Sequence, residues 1–241
     1  MTDAEGCFLM RPQGELTAST YRDCADNLVR FAMDEPRALI VVLDGLRVAS
    51  PALYTAFTSA RLRVHEWPGV PIVLVIQEQA RRDRPRTSVE RRWIPLYASV
   101  FDALRGLGEQ PARQRAALDL APLEDCARFA VRFVDMTCSR WAIPDLCAPA
   151  RLVVTELVEN SLRHSRVNGD LRVRLELRGG LFTIAVGDDD PREAVLREPG
   201  AHPSPHTGLH MVAGLARAWG CTPQWPKGKV VWAVLGARRA G

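Results

Sequence analysis

Two uninterrupted apolar runs, RALIVVLD at residues 37–44 and VPIVLVIQ at 70–77, leave the first half of this chain few architectures. Both are rich in β-branched residues and lack the alternation of a half-solvated strand, which is the pattern of strands buried on both faces of a sheet. Between them, SPALYTAFTSARLRVHEW has helical character, with Pro51 following Ser50 where a first helical turn accepts proline. Strands separated by helices of this length imply a small α/β layer structure. The flanks agree. Gly14-Glu15-Leu16 opens a short strand, TYRDCADNLVRFAMDEP brings Leu28, Phe31 and Ala32 round at helical spacing, and WIPLYASVFDALRGLGE reads as a last strand and helix.

A chain of 241 residues exceeds the length of most single domains, and GEQPARQRAALDLAP reads as a linker. The expected organisation is a first domain over 1–110, a linker over 111–121 and a second domain over 122–241. Past the linker, a helix starts near Pro122 and runs through LEDCARFAVRFVDMTCSRW, followed by the helical LVVTELVENSLRHS. LRVRLELR at 171–178 and LFTIAVGD at 181–188 alternate in polarity around Gly179-Gly180, the signature of an antiparallel hairpin. A loop rich in Pro, His and Asp leads to a helix from about Leu209 to Ala218 and a final strand, KVVWAVLG, at 229–236. This order predicts an α+β sandwich, a mixed sheet with its helices on one face.

In LVVTELVENSLRHS a carboxylate, a carboxamide and an imidazole recur every four residues. At about 100° per residue, Glu156, Asn160 and His164 line one side of a helix beside Val153 and Leu157, while Glu159, Arg163 and Thr155 gather on a solvated side. Burying such groups unpartnered costs a few kcal/mol each. Either protein groups or a ligand must satisfy them. His164 suits a packed or capping residue near the helix end as well as a pocket lining.

Composition excludes several classes. Hydrophobic residues at 47% and charged residues at 25% are ordinary for a globular protein. Nothing reaches the length of a membrane span, and no secretory signal is visible, so a cytoplasmic protein is the simplest expectation. The six cysteines are scattered without metal-binding spacing, which predicts buried or half-buried thiols. A net charge of +4 is modest, and its one basic cluster, RRDRPRTSVERR at 81–92, lacks aromatic interleaving, so no direct nucleic-acid partner is expected.

Four ordered pieces then acquire a common meaning: ELVENSLRH, IAVGDDDP, HTGLHMVAGLARAWG and GKVVWAVL. Over roughly residues 120–236 the chain resembles the Bergerat-type ATPase domain of anti-sigma-factor serine kinases, relatives of histidine kinase catalytic domains. The pieces stand where that family has its N box, two glycine boxes and closing strand. The resemblance implies ATP and Mg²⁺ as cofactors. Asn160 would be the metal ligand, since Mg²⁺ needs a hard oxygen on a rigid element. Glu156 would orient or deprotonate the attacking hydroxyl, and Asp188 would accept a hydrogen bond from the adenine amino group. Gly208 would let backbone N–H groups at a helix start approach the phosphates, with Thr207 beside it as a hydroxyl donor. The chain departs from the family where Asp189, Asp190 and Pro191 replace glycines and where His206 replaces the glycine opening the second box. Lys227 and Lys229 read as solvated residues of a surface turn, or else as added positive charge at the site.

Residues 12–107 resemble STAS domains, the fold of anti-anti-sigma factors, through GELTAST, ALIVVLDGLRVASPALYTAF and WPGVPIVLVI. Ser50 takes the place of the phosphoacceptor serine of that family, without its neighbouring Asp and Gly, and equally suits an N-cap ahead of Pro51. Together the resemblances imply a regulatory ATP-binding protein of anti-sigma-factor/serine-threonine kinase type that transfers the ATP γ-phosphate to a serine of a STAS-type anti-anti-sigma partner, with a sigma factor as a further expected partner. Homodimerisation is an expectation of the family. A different class, a catalytically eroded ATP-binding or nucleotide-free interaction module, is the alternative. A sensory histidine kinase ranks last, because no membrane region or dimerising phosphoacceptor helix is evident.

Overall fold

The computed structural model describes residues 2–78, 94–108, 113–164, 169–194, 208–224 and 227–236. The chain divides into two compact units, Met1–Gln110 and Pro111–Gly241. The basic cluster at 81–92 lies outside the described residues.

The first unit is built on the two apolar runs. Strands β4 (Leu39–Val42) and β6 (Ile72–Val75) pair in parallel, and every residue of both is buried. Around them β1 (Thr2–Ala4), β2 (Cys7–Met10) and β7 (Leu96–Tyr97) complete a sheet of order β1-β2-β4-β6-β7, in which only the β1–β2 pair is antiparallel. A separate parallel pair joins β3 (Gly14–Leu16) to β5 (Leu46–Val48). The crossovers described are helices α1 (Tyr21–Ala32) and α2 (Thr55–His65), with a 3-10 turn at Pro51–Tyr54 leading into α2, and helix α3 (Val100–Gly106) follows β7. Parallel strands require such crossovers, so the α/β expectation follows from the two runs. The N-terminal hairpin was not visible in the sequence because its strands are very short.

In the second unit, the segment expected to be a linker is strand β8 (Arg113–Leu120) at the edge of the sheet. Its polar opening hides an alternation in which Ala116 and Leu118 pack on the core and Leu120 is buried in it. The remaining elements are helices α4 (Cys126–Arg140) and α5 (Pro144–His164), strands β9 (Leu171–Arg178) and β10 (Leu181–Asp188), helix α6 (Gly208–Leu215), and strands β11 (Ala218–Pro223) and β12 (Lys229–Leu235). The sheet order is β11-β12-β10-β9-β8, and every pairing in it is antiparallel, where a mixed sheet was expected. Hairpins supply two of the four pairings, the β9–β10 one turning on Gly179 and Gly180 at φ 55° and 76°. Only glycine adopts two such angles in succession at no steric cost.

One face of this sheet forms the core. Phe182, Ile184 and Val186 of β10 lie in register with Leu235, Ala233 and Val231 of β12, and all pack with Val153, Val154, Leu157 and Val158 of α5. Trp141 meets the Phe182 ring edge to face, centroids 5.9 Å apart, an arrangement that adds to area burial. Helix α5 begins eight residues before the segment that the periodicity marked, at Pro144 rather than Leu152, and carries Pro149 in its second turn. Across the α4–α5 hairpin, Arg151 donates to Asp135 at 2.5 Å and the Cys147 thiol donates to the same oxygen at 3.3 Å. All six cysteines are free and buried or half-buried, as expected, and burial pushes the Cys138 thiol up to about 12.

Phe182 is fully buried, so Phe182→Ala should destabilise the second unit by about 3–5 kcal/mol, through lost transfer energy and the cavity left behind; urea unfolding followed by Trp fluorescence measures this. The Arg151 hydrogen bond holds the Asp135 carboxyl below its ordinary value of 3.8. The stability given by this pair is therefore present at pH above that value and lost as pH falls through the folded value. Arg151→Ala should lower the melting temperature at pH 7, and by progressively less as the pH is taken below 3.8 and through the folded value of Asp135.

Candidate functional site

The first group of charged residues in the second unit stands where the inward row of β10 ends. Side chains along a strand alternate, so Asp188 continues the face of Phe182, Ile184 and Val186 and points toward the helices. Its register partner Lys229 likewise continues the face of Val231, Ala233 and Leu235. Two charged groups thus meet inside the protein: Lys229 Nζ donates to Asp188 Oδ1 at 2.8 Å, with side chains only 4% and 1% exposed. Lys229 also donates to the Asp190 carbonyl at 3.1 Å, and the Asp190 N–H donates to Asp188 Oδ1 at 2.9 Å. Lys229 is therefore not the solvated turn residue that its neighbours suggested.

The other oxygen, Asp188 Oδ2, is buried and finds no hydrogen-bond partner among the described residues. A buried carboxylate oxygen left unpartnered is costly. What it lacks is a donor.

The two acidic residues that follow are matched in the same way. Asp189 pairs with Lys227 at 2.8 Å. Asp190, itself buried, receives the guanidinium fork of Arg192 at 2.9 and 2.6 Å. Three consecutive carboxylates each have a cation of their own, so the segment 188–190 does not present net negative charge. Gly228, at φ +97°, lets the β12 approach lie against the Asp188 carbonyl, a place where any Cβ would collide.

Helix α5 supplies the second group. Glu156 and Asn160 are both half-buried, one turn apart, at the border of the apolar face formed by Val153, Leu157 and Val158. Glu159 and Arg163, expected on the solvated side, form an ion pair there. The buried polar residue that sequence reasoning missed is Ser161, wholly enclosed, its hydroxyl without a partner among the described residues. Helical projection marks its inward position, but a serine amid apolar residues gives no chemical signal. His164 ends α5, and its side chain lies outside the described residues.

Gly208 opens α6, and a Cβ built there would strike the Glu156 carboxylate. Glu156 thus lies against the start of a helix, where unpaired N–H groups and the helix dipole favour negative charge. The structure brings Glu156 and Gly208 together and, separately, Asp188 and Lys229. Thr207 and His206 lie outside the described residues. Among the described residues no group of three His, Cys, Asp or Glu side chains is placed to hold a metal ion.

In the first unit, Ser50 is exposed and stands at the N-cap of the 3-10 turn in extended conformation, φ −146°, yet its side chain makes no capping bond. A cleft of about 530 Å³ nearby is lined by Asp44, Arg47, Ala49, Pro51 and Tyr54 among others. It brings together no set of reactive groups comparable to that of the second unit. No described helix is long and apolar enough to cross a membrane.

No family model matches the chain, and no curated protein matches it. Among solved structures it is similar to an anti-sigma factor antagonist from Mycobacterium paratuberculosis, at 18% identity and a TM-score of 0.39, over 45% of this chain and 91% of that one. It is also similar to the RsbU and RsbW domains of a Mycobacterium tuberculosis protein, at 16% identity and a TM-score of 0.40, over 51% of this chain and 32% of that one.

Proposed function

We propose that the second unit is a Bergerat-type adenine-nucleotide domain, and that the chain is a regulatory protein of anti-sigma-factor type acting on a serine of a STAS-type partner. The observation that carries this reading is Asp188: a buried carboxylate with one oxygen tied to Lys229 and the other awaiting a donor. The exocyclic amino group of adenine is such a donor. Guanine presents a carbonyl at the same edge and would face the carboxylate unfavourably.

The other residues fit the same ligand. Asn160 offers a carboxamide oxygen on a rigid helix, the kind of single protein ligand that Mg²⁺ takes when phosphates and water complete its shell. Glu156, one turn earlier, has its carboxylate at the start of α6 and can accept the proton of an incoming serine hydroxyl. Bound Mg·ATP would supply the phosphoryl group. Gly208 puts no side chain at the first position of α6, where backbone N–H groups can face an anion. Phosphate on the partner serine adds about −1.5 to −2 charges, enough to disrupt an apolar interface. In the first unit, the exposed hydroxyl of Ser50 stands where a STAS-like fold would carry its own phosphoacceptor.

A second reading rests on Glu156. Its carboxylate already occupies the anion-favouring position at α6, so the unit is locally satisfied without a phosphate. On that reading the chain is an interaction module on an ATPase scaffold.

Calorimetric titration with Mg·ATP separates the two. Micromolar binding by the wild-type protein, weakened about tenfold or more by Asn160→Ala as a metal–oxygen contact is lost, is the expected result; no heat from folded protein would leave the interaction module. Glu156→Gln should bind Mg·ATP as tightly as wild type and lose phosphoryl transfer to a STAS-domain substrate by about 10²–10⁴-fold, the range for a missing general base. Equal transfer by the variant would remove Glu156 from the chemistry.

A further inference from the structure

Lys229 is a buried cation, its side chain 4% exposed, and the chemistry assigned to Glu156, Asn160 and Gly208 makes no use of it. Burying an ammonium group is expensive, and a Lys–Asp pair inside a protein is often no more stable than an apolar replacement of similar volume. The sheet needs no cation at this point, since the β10–β12 ladder runs unbroken through six further register pairs of mostly apolar residues. Its geometry accounts for what it does. Nζ holds Asp188 Oδ1 at 2.8 Å and the Asp190 carbonyl at 3.1 Å, so that it grips the carboxylate from one side and the following backbone from the other. The Asp190 N–H fastens the same oxygen at 2.9 Å. Gly228, next in the chain, packs against the Asp188 carbonyl and fixes the approach of Lys229 to it. With Oδ1 held twice, the carboxylate cannot rotate, and Oδ2 remains as a single acceptor in a fixed direction.

Resting on the nucleotide reading above, we infer that Lys229 is a positioning residue that sets base selectivity: it locks Asp188 so that the site accepts a purine bearing an amino group at this edge and refuses one bearing a carbonyl. A free carboxylate could turn either oxygen toward the ligand, or turn both away and admit water between itself and the base. A locked one offers one acceptor and no donor. Sites that hydrogen-bond a defined group discriminate strongly because the wrong ligand leaves a buried polar atom unpaired. The ammonium contributes to that discrimination without touching the base.

The test is binding of ADP and GDP, both with Mg²⁺, to the full chain by calorimetry, with circular dichroism confirming the fold. Wild type should prefer ADP by about 10- to 100-fold or more, the ratio expected when the wrong base leaves a buried acceptor unsatisfied. Lys229→Met should bring the two affinities to within about threefold of each other, whereas Lys229→Arg, which can hold Oδ1, should restore most of the preference. Because Lys229→Met leaves a buried carboxylate unpaired and can fail to fold, the neutral double variant Asp188→Asn with Lys229→Met is measured beside it, and it too should lose the preference. A folded Lys229→Met that keeps the wild-type ratio overturns the role of Lys229 and leaves the nucleotide reading intact. Wild-type protein that binds neither nucleotide overturns the nucleotide reading and this inference with it.

Discussion

Strand β10 presents four successive inward positions, three apolar and the last a carboxylate, and the second unit is arranged around that change of polarity. Phe182, Ile184 and Val186 bind the sheet to α5; Asp188, one step further along the same face, can be buried there only because β12 delivers Lys229 opposite it. Register is the cause. A one-residue slip of β12 would turn Val231, Ala233 and Leu235 away from the core and would leave Asp188 facing Val230. The apolar packing that selects the register therefore also selects the ion pair, and a feature of the site is inherited from the core.

Much of this architecture was legible in the sequence, for identifiable reasons. The two apolar runs of the first unit could be little else than buried parallel strands, and both are. The Gly-Gly connection with alternating flanks fixed the β9–β10 hairpin to its turn residues. What escaped were elements whose signal is weak locally and strong only in three dimensions. Strand β8 opens with charged residues that read as linker, and its partner β9 lies beyond two helices, so no nearby hairpin announced it. Strand β11, AWGCTP, carries a glycine and a proline and little periodicity; Gly220 packs on the Trp232 ring, an explanation that exists only once β12 is alongside.

The candidate site divides the same way. Glu156 and Asn160 could be placed on one helix side from spacing alone, and both fall at the border of the buried face. Lys229 could not. A lysine flanked by Gly228 and close to Lys227 has the look of a solvated turn, and nothing in its neighbourhood in sequence reveals a carboxylate forty-one positions away. Burial of a charge is a property of the pair, and a pair across strands that are neighbours in the sheet but not in the sequence is invisible to any window along the chain. Ser161 is the reverse case, at a position that helical projection turns inward but chemically silent, and so missed.

The run of three aspartates shows why charge should be counted with partners rather than along the sequence. Read alone, Asp188, Asp189 and Asp190 place three negative charges side by side, a pattern that argues against a polyanion nearby. In the structure Lys229, Lys227 and Arg192 answer them one for one, at 2.8, 2.8 and 2.6 Å. The first of these pairs is sealed from solvent and little screened, while Lys227 and Arg192 are half exposed and their pairs correspondingly weaker. The result is a graded segment: rigid at Asp188, where direction matters for a hydrogen bond, and looser toward Arg192, from which the chain leaves for α6. A glycine-rich box would obtain close approach by having no side chains; this one obtains local neutrality by pairing them. Among the described residues of this segment, the buried side-chain oxygen that stays without a partner is Asp188 Oδ2.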